Sequence, residues 1–152
     1  MTTAYARLAQ LGIELAPPTP AVGAYVPWVR SGGLLFVAGH IARRAGKPWS
    51  GQLGGRIAVD EGRAAARQVA IDLLATLHVA TGDLEKVRRV VKLLVLVNST
   101  STFTDQPLIA NGASELLVEV LAERGAHARS AFGVVQLPFG SCVEIELIAE
   151  VA

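Results

Sequence analysis

At 152 residues, 51% of them hydrophobic and 18% charged, the chain has the size of one domain able to bury a substantial core. Fourteen basic residues against thirteen acidic ones leave a net charge of +1, which excludes the strong field of a protein built to coat nucleic acid or an anionic membrane. Mean hydropathy is high at +0.42, yet no apolar run reaches the roughly 18–20 residues needed to span a bilayer, so the excess apolar surface points to burial between subunits.

The first residues, Met1 to Arg7, lack the charged and then apolar blocks of a secretory signal. The single cysteine, Cys142, excludes an internal disulfide framework. Both features fit a cytoplasmic protein.

In chain order, Ala4 to Leu11 forms a short helix closed by Gly12, and Pro17-Pro18-Thr19-Pro20 is an extended connector. Residues 1–20 are thus an N-terminal helix and connector within a single domain of residues 1–152. Val22 to Arg30 and Leu34 to Gly39 read as strands around a Ser31-Gly32-Gly33 turn, and Arg43 to Gly55 as loop. From Asp60, the residues Ala66, Val69, Ala70, Leu73, Leu74 and Leu77 make one helical stripe. Arg63, Arg67, Asp72 and Thr76 face away from it, and Gly82 ends the helix.

Val87 to Asn98 is evenly apolar and β-branched, as expected of a central strand covered on both faces. Pro107 suits the start of a second helix, whose stripe is Ile109, Ala113, Leu116, Leu117, Val120 and Leu121. A strand through Arg129 follows. Pro138 to Ser141 turn the chain into a last strand, Cys142 to Val151, that alternates, with Val143, Ile145, Leu147, Ala149 and Val151 on one face and Cys142, Glu144, Glu146, Ile148 and Glu150 on the other. The order ββαβαββ predicts an α+β domain, a mixed sheet with two helices on one face. The other face is left to solvent or to further subunits.

Arg129 stands out because a guanidinium stays charged and its fork of donors matches a carboxylate or phosphate. Either a protein acid, Glu146 or Glu150, or a ligand acid must answer it, and the residues alone leave that open. Glu144 is the second candidate; Glu144 and Glu146 share a strand face about 7 Å apart, close enough to raise one pKa if both are shielded from water. If the last two strands pair as a simple hairpin, Arg129 lies near Glu150 and roughly 20 Å from Glu144. One small substrate then reaches both only across a subunit boundary, or if the strands are not a hairpin.

His40 ends an apolar strand, where it is a candidate to line a ligand. His78 reads as a surface or cap residue, and His127 as a loop residue shaping the approach to Arg129. These histidines and Cys142, a core thiol, have no metal-ligand spacing, so no metal site is expected. The glycine pairs lack a phosphate-loop context. The clusters Arg43-Arg44-Lys47 and Arg88-Arg89-Lys92 read as solvated edges, since 5% aromatic content provides no stacking platform for RNA.

Gly23-Ala24-Tyr25, Leu35-Phe36-Val37-Ala38-Gly39, Val90-Val91-Lys92, Ala128-Arg129-Ser130, Leu137-Pro138 and Val143-Glu144-Ile145-Glu146-Leu147 together resemble a divergent branch of the Rid family. These are the reactive intermediate deaminases, also called YjgF/YER057c/UK114 or endoribonuclease L-PSP. The resemblance implies a chorismate-mutase-like fold and a homotrimer with sites between subunits. It also implies hydrolysis of enamines and imines such as 2-aminoacrylate to 2-oxo acids and ammonia, without a cofactor. Carried over, Arg129 grips the substrate carboxylate and Glu144 activates water. Tyr25 and Asn111 line the pocket from the partner subunit, and Gly39, His40 and Ser130 complete it.

The chain departs from the family pattern at Pro27, Ala38, His40 and Ala131, which leaves the natural substrate open. Two other functions compete with deamination. One is a non-catalytic, regulatory trimer that binds small carboxylates; the other is a ribonuclease, which the balanced charge disfavours. The expected partners are a small carboxylate-bearing substrate and further copies of the chain, with neither nucleic acid nor membrane.

Overall fold

The computed structural model describes residues 1–152. Helix α1 (Ala4–Gln10) is opened by Thr3, whose hydroxyl accepts from the Ala6 amide. A short hairpin, β1 (Trp28–Ser31) and β2 (Leu34–Ile41), turns at Gly32, whose φ of +58° lies in the left-handed region that glycine enters without strain. The first strand is shorter than its apolar residues imply, because Val22 to Pro27 form bends around Gly23, at φ +126°.

The stretch expected as loop carries a small ribbon, β3 (Arg43–Arg44) and β4 (Lys47–Pro48). It is fastened to the following helix: the Trp49 indole N–H donates to Glu61 at 3.1 Å, and the Arg44 guanidinium lies 4.8 Å from the Trp49 ring centre.

Helix α2 (Val59–Thr81) ends on Gly82 at φ +74°, and the predicted stripe from Ala66 to Leu77 is fully buried. Thr76 is a correction: expected to face away, it too is fully buried. Strand β5 (Val87–Asn98) is an interior strand of the sheet, and α3 (Gln106–Leu121) follows with Pro107 in its first turn and its apolar stripe buried. Strands β6 (Ala128–Val134) and β7 (Val143–Val151) complete the chain.

The sheet order is β1-β2-β7-β5-β6, with β5 and β6 parallel and every other pair antiparallel. The last two strands therefore do not form a hairpin. Strand β5 lies between them, so Arg129 stands level with Leu93 and Leu147, and Glu150 pairs instead with Leu34 and Arg89.

The helices pack on the face that carries Val37, Leu93, Val95, Ile145 and Leu147, all buried. The opposite face is open in the single chain. There Phe36 and Phe132 are exposed, and Lys92, Leu94, Leu96 and Ile148 are half-buried, so β5 is covered by its own chain on one face, not two.

Helices α2 and α3 meet backbone to backbone. A Cβ on Gly112 would sit 2.1 Å from the Arg63 carbonyl oxygen. The outward arginines reach across the same seam, Arg63 to Glu115 at 3.0 Å and Arg67 to Glu119 at 3.1 Å. Gly112→Ala must push the helices apart and is expected to cost about 3 kcal/mol, read as a lowered midpoint in urea. Gly33→Ala, where the nearest atom to the added Cβ is 3.8 Å away, is the neutral control.

Candidate functional site

A cavity of about 490 Å³ opens where β2 and β7 meet the loops before β1 and after β6, and Tyr25, Gly39, His40 and Glu144 all line it. Strand β2 makes this geometry with a bulge. Val37 pairs with Leu147 and His40 with Ile145, so β2 spends one residue more than β7 over that interval. The extra residue turns His40 toward the helices and brings Gly39 against Glu144, where a Cβ would lie 3.1 Å from the carboxyl carbon.

Both nitrogens of the His40 ring are engaged inside the chain, Nδ1 with the Ala38 carbonyl at 2.7 Å and Nε2 with the Thr76 hydroxyl at 2.7 Å. A carbonyl only accepts, so Nδ1 carries the hydrogen and the neutral ring accepts from Thr76 at Nε2. Burial, reinforced by the charge of Arg43, pushes the His40 pKa down, partly opposed by the bond to Ala38. His40 thus clamps the bulge, and its ring, rather than a nitrogen, faces the cavity. Thr76, the other half of the clamp, escaped sequence reading because its position in the helical repeat looks solvent-facing.

Glu144 is half-buried; burial first, and then the charge of Glu146, raise its pKa above the ordinary carboxylate range. Asp72, on α2 at the same cavity, is raised by burial, against the lowering effects of a bond from Gln68 and of Arg43. The wall opposite is apolar. The Tyr25 hydroxyl accepts from the Val22 amide at 3.3 Å, and Phe139, with φ +58°, presents a ring that is 62% exposed. No pattern in the sequence singled out Phe139; its position follows from the turn between β6 and β7.

Arg129 lies elsewhere. It faces α3, donating from Nη1 to the Asn111 side-chain oxygen at 2.8 Å and to the Ser114 hydroxyl at 3.1 Å, and from Nη2 to the Pro107 carbonyl at 3.4 Å. None of the four ion pairs of the chain includes it, so neither Glu146 nor Glu150 answers its charge. Asn111 reaches Arg129 from the same chain, a correction to its expected delivery by a partner subunit, because the first turns of α3 pack over β6. Ser130, next along β6, points to the open face and receives the Lys92 ammonium at 3.0 Å.

The predicted residues therefore fall into two groups: Tyr25, Gly39, His40 and Glu144 around the cavity, and Arg129 with Asn111 under α3. Arg129 is level with Leu147, Glu144 with Phe132, and the two point to opposite faces of the sheet. Three residues along and two strands across put their Cα atoms about 14 Å apart.

Cys142 is buried and its thiol is pushed up to about 11, which makes it a packing residue and no nucleophile. In the basic clusters, Arg44 is committed to Glu61 at 3.4 Å and to the Trp49 ring.

Residues 5–151 match the family model described as "YjgF/chorismate_mutase-like, putative endoribonuclease". The chain belongs to the YjgF family. This YjgF-family chain is 46% identical over 147 residues to Protein TCP17 of Trypanosoma cruzi, covering 95% of this chain and 92% of the relative. Atu1372 of Agrobacterium tumefaciens, a protein of unknown function, superposes with a TM-score of 0.90 at 40% identity, over 99% of this chain and 94% of that one. A Shewanella oneidensis protein named for the endoribonuclease class superposes with a TM-score of 0.94 at 32% identity, over 98% and 99% of the two chains.

The raised pKa of Glu144 makes a stability prediction for this YjgF-family fold. The folded state holds the Glu144 proton more tightly than the unfolded chain does, so this residue costs stability as pH rises from the ordinary carboxylate value through the raised one. Glu144→Gln is expected to melt above wild type at neutral pH, the difference vanishing near about pH 3, as read by thermal melts across pH.

Proposed function

We propose that this protein is a cofactor-independent deaminase of small imino and enamino acids, acting as a homotrimer with sites that form across subunit boundaries. The observation that carries this reading is the division of the candidate residues. Arg129 is held by neutral acceptors alone and keeps part of its donor fork for an anion, while Glu144, its proton affinity raised, faces a cavity on the other side of the sheet. Either group by itself does half the chemistry. A second copy supplies the other half if its β6 edge, which carries Arg129, lies against the open face that carries Glu144.

In this scheme Arg129 of one subunit takes the substrate carboxylate as a bidentate pair, and Glu144 of the next faces the C=N carbon. An enamine first gains a proton at its terminal carbon and becomes the iminium. Water then adds to the C=N carbon as Glu144 takes its proton, forming a carbinolamine. Glu144 returns the proton to nitrogen and takes the hydroxyl proton as the C–N bond breaks, so that a 2-oxo acid and ammonia leave; the carboxyl then gives that proton to solvent, replacing the one the enamine took up. Each turnover consumes one water and regenerates the carboxylate. Tyr25 and the ring of His40 line the cavity, Gly39 admits Glu144 to it, and Ser130 stands at the subunit seam on the open face.

A second reading, a regulatory trimer that binds small carboxylates without turnover, is favoured by one observation: both His40 nitrogens are spent inside the chain, which leaves Glu144 to act without a histidine. Both readings place the carboxylate on Arg129; they differ in turnover. A ribonuclease has less support, because Arg44 is already paired within one of the two basic clusters.

The deciding experiment generates imino acids with an amino-acid oxidase and follows ammonia release. The wild-type protein should accelerate it, and Arg129→Ala should lose about 2–4 kcal/mol of transition-state stabilisation, a fall of roughly 30-fold to 1000-fold in kcat/KM. Absence of acceleration, with retained binding of 2-oxo acids by calorimetry, favours the regulatory reading. Because Glu144 must be ionised to accept the proton of water, activity should fall as pH drops through its raised pKa, placing the acid limb above the ordinary carboxylate range. Light scattering should give three times the chain mass, and a monomer would overturn the intersubunit site.

A further inference from the structure

The surroundings of Arg129 contain more order than an anchor requires. Its Nη1 has two hydrogens and both are used, one on Asn111 at 2.8 Å and one on Ser114 at 3.1 Å. Nη2 spends one on the Pro107 carbonyl at 3.4 Å. Of the five N–H donors of a guanidinium, the Nε hydrogen and the second Nη2 hydrogen have no partner in the chain. These are the donors left for a ligand carboxylate.

The Ser114 hydroxyl is itself directed. Its oxygen lies 2.9 Å from His127 Nε2, and His127 Nδ1 lies 2.6 Å from the Gly125 carbonyl oxygen. Because the carbonyl only accepts, Nδ1 carries the hydrogen, and in the neutral ring Nε2 accepts. The serine proton then goes to His127, and the serine lone pairs are left for Arg129. Without the histidine, a helical serine commonly turns its hydroxyl to the carbonyl four residues back. Gly125, the base of this relay, is fixed against the end of α3, where an added Cβ would fall 2.2 Å from the Leu117 carbonyl oxygen.

We propose that Ser114 and His127 are positioning residues that hold the Arg129 guanidinium by Nη1 and so reserve its Nε and Nη2 hydrogens for the substrate carboxylate. The proposal rests on the reading of Arg129 as the carboxylate anchor. Neutral groups suit this task. A carboxylate in place of Ser114 would fix the guanidinium equally well but would neutralise the charge that the substrate needs.

Two measurements on the full-length protein test it. The first needs no ligand: nitrogen-detected spectra of the 15N-labelled protein report rotation of the Arg129 guanidinium, which resolves its two Nη groups when it is held. Ser114→Ala and His127→Phe should merge those signals while circular dichroism stays native, and Ser114→Thr should restore them. The second is calorimetry with pyruvate, where Ser114→Ala should bind about tenfold more weakly and Ser114→Thr close to wild type. Resolved Nη signals and unchanged pyruvate affinity in both Ser114→Ala and His127→Phe would overturn the proposal. If Arg129→Ala binds pyruvate as tightly as wild type, the anchor reading falls and this proposal with it. If Arg129→Ala loses binding and Ser114→Ala does not, the positioning role alone falls.

Discussion

The placement of β5 between β6 and β7 is the constraint on which the rest depends. Strand β6 pairs parallel to β5 and so must return through a crossover, which α3 provides. That crossover lays the first turns of α3 over β6, and Asn111, Ser114 and the Pro107 carbonyl meet Arg129 there. Strand β7 then enters antiparallel on the far side of β5, carrying Glu144 to the opposite face. A hairpin between the last strands would have put Arg129 beside Glu150, with a protein acid to quench it. The inserted strand removes that acid and leaves the guanidinium among neutral acceptors.

A second constraint acts at the other half of the site. The bulge in β2 breaks the strict alternation of the strand, so Gly39 and His40 take directions that period-two patterning does not assign. The cost of the irregularity is met locally, by a buried histidine bonded at both nitrogens to Ala38 and Thr76. The acid opposite is destabilised in its charged form by burial and by Glu146. The His40 clamp and the contact of Gly39 with Glu144 are thus consequences of one extra residue on one strand.

Much of the fold was legible because it follows from periodicity. The helical stripes of α2 and α3, the apolar length of β5 and the alternation of β7 each report a local burial pattern, and each element lies where its pattern ends. Arg129 and Glu144 were legible as residues for a related reason, since a fixed charge opening an apolar strand and paired acids on one strand face are conspicuous against their neighbours. Thr76 and Phe139 were not. Thr76 sits at a position that looks outward and is covered where α2 packs over β2 and His40 bonds to it, and Phe139 acquires its place from a turn in which it is itself the left-handed residue.

The sequence by itself determined the composition of the layers, the order ββαβαββ and which residues carry chemistry, because these depend on interactions between near neighbours along the chain. Only the tertiary structure decided which strands pair, and with that which residues share a face. Strand partners are chosen by long-range packing of the helices on the sheet, which no local pattern encodes. That choice puts Arg129 and Glu144 on opposite faces of the sheet and brings Asn111 to Arg129.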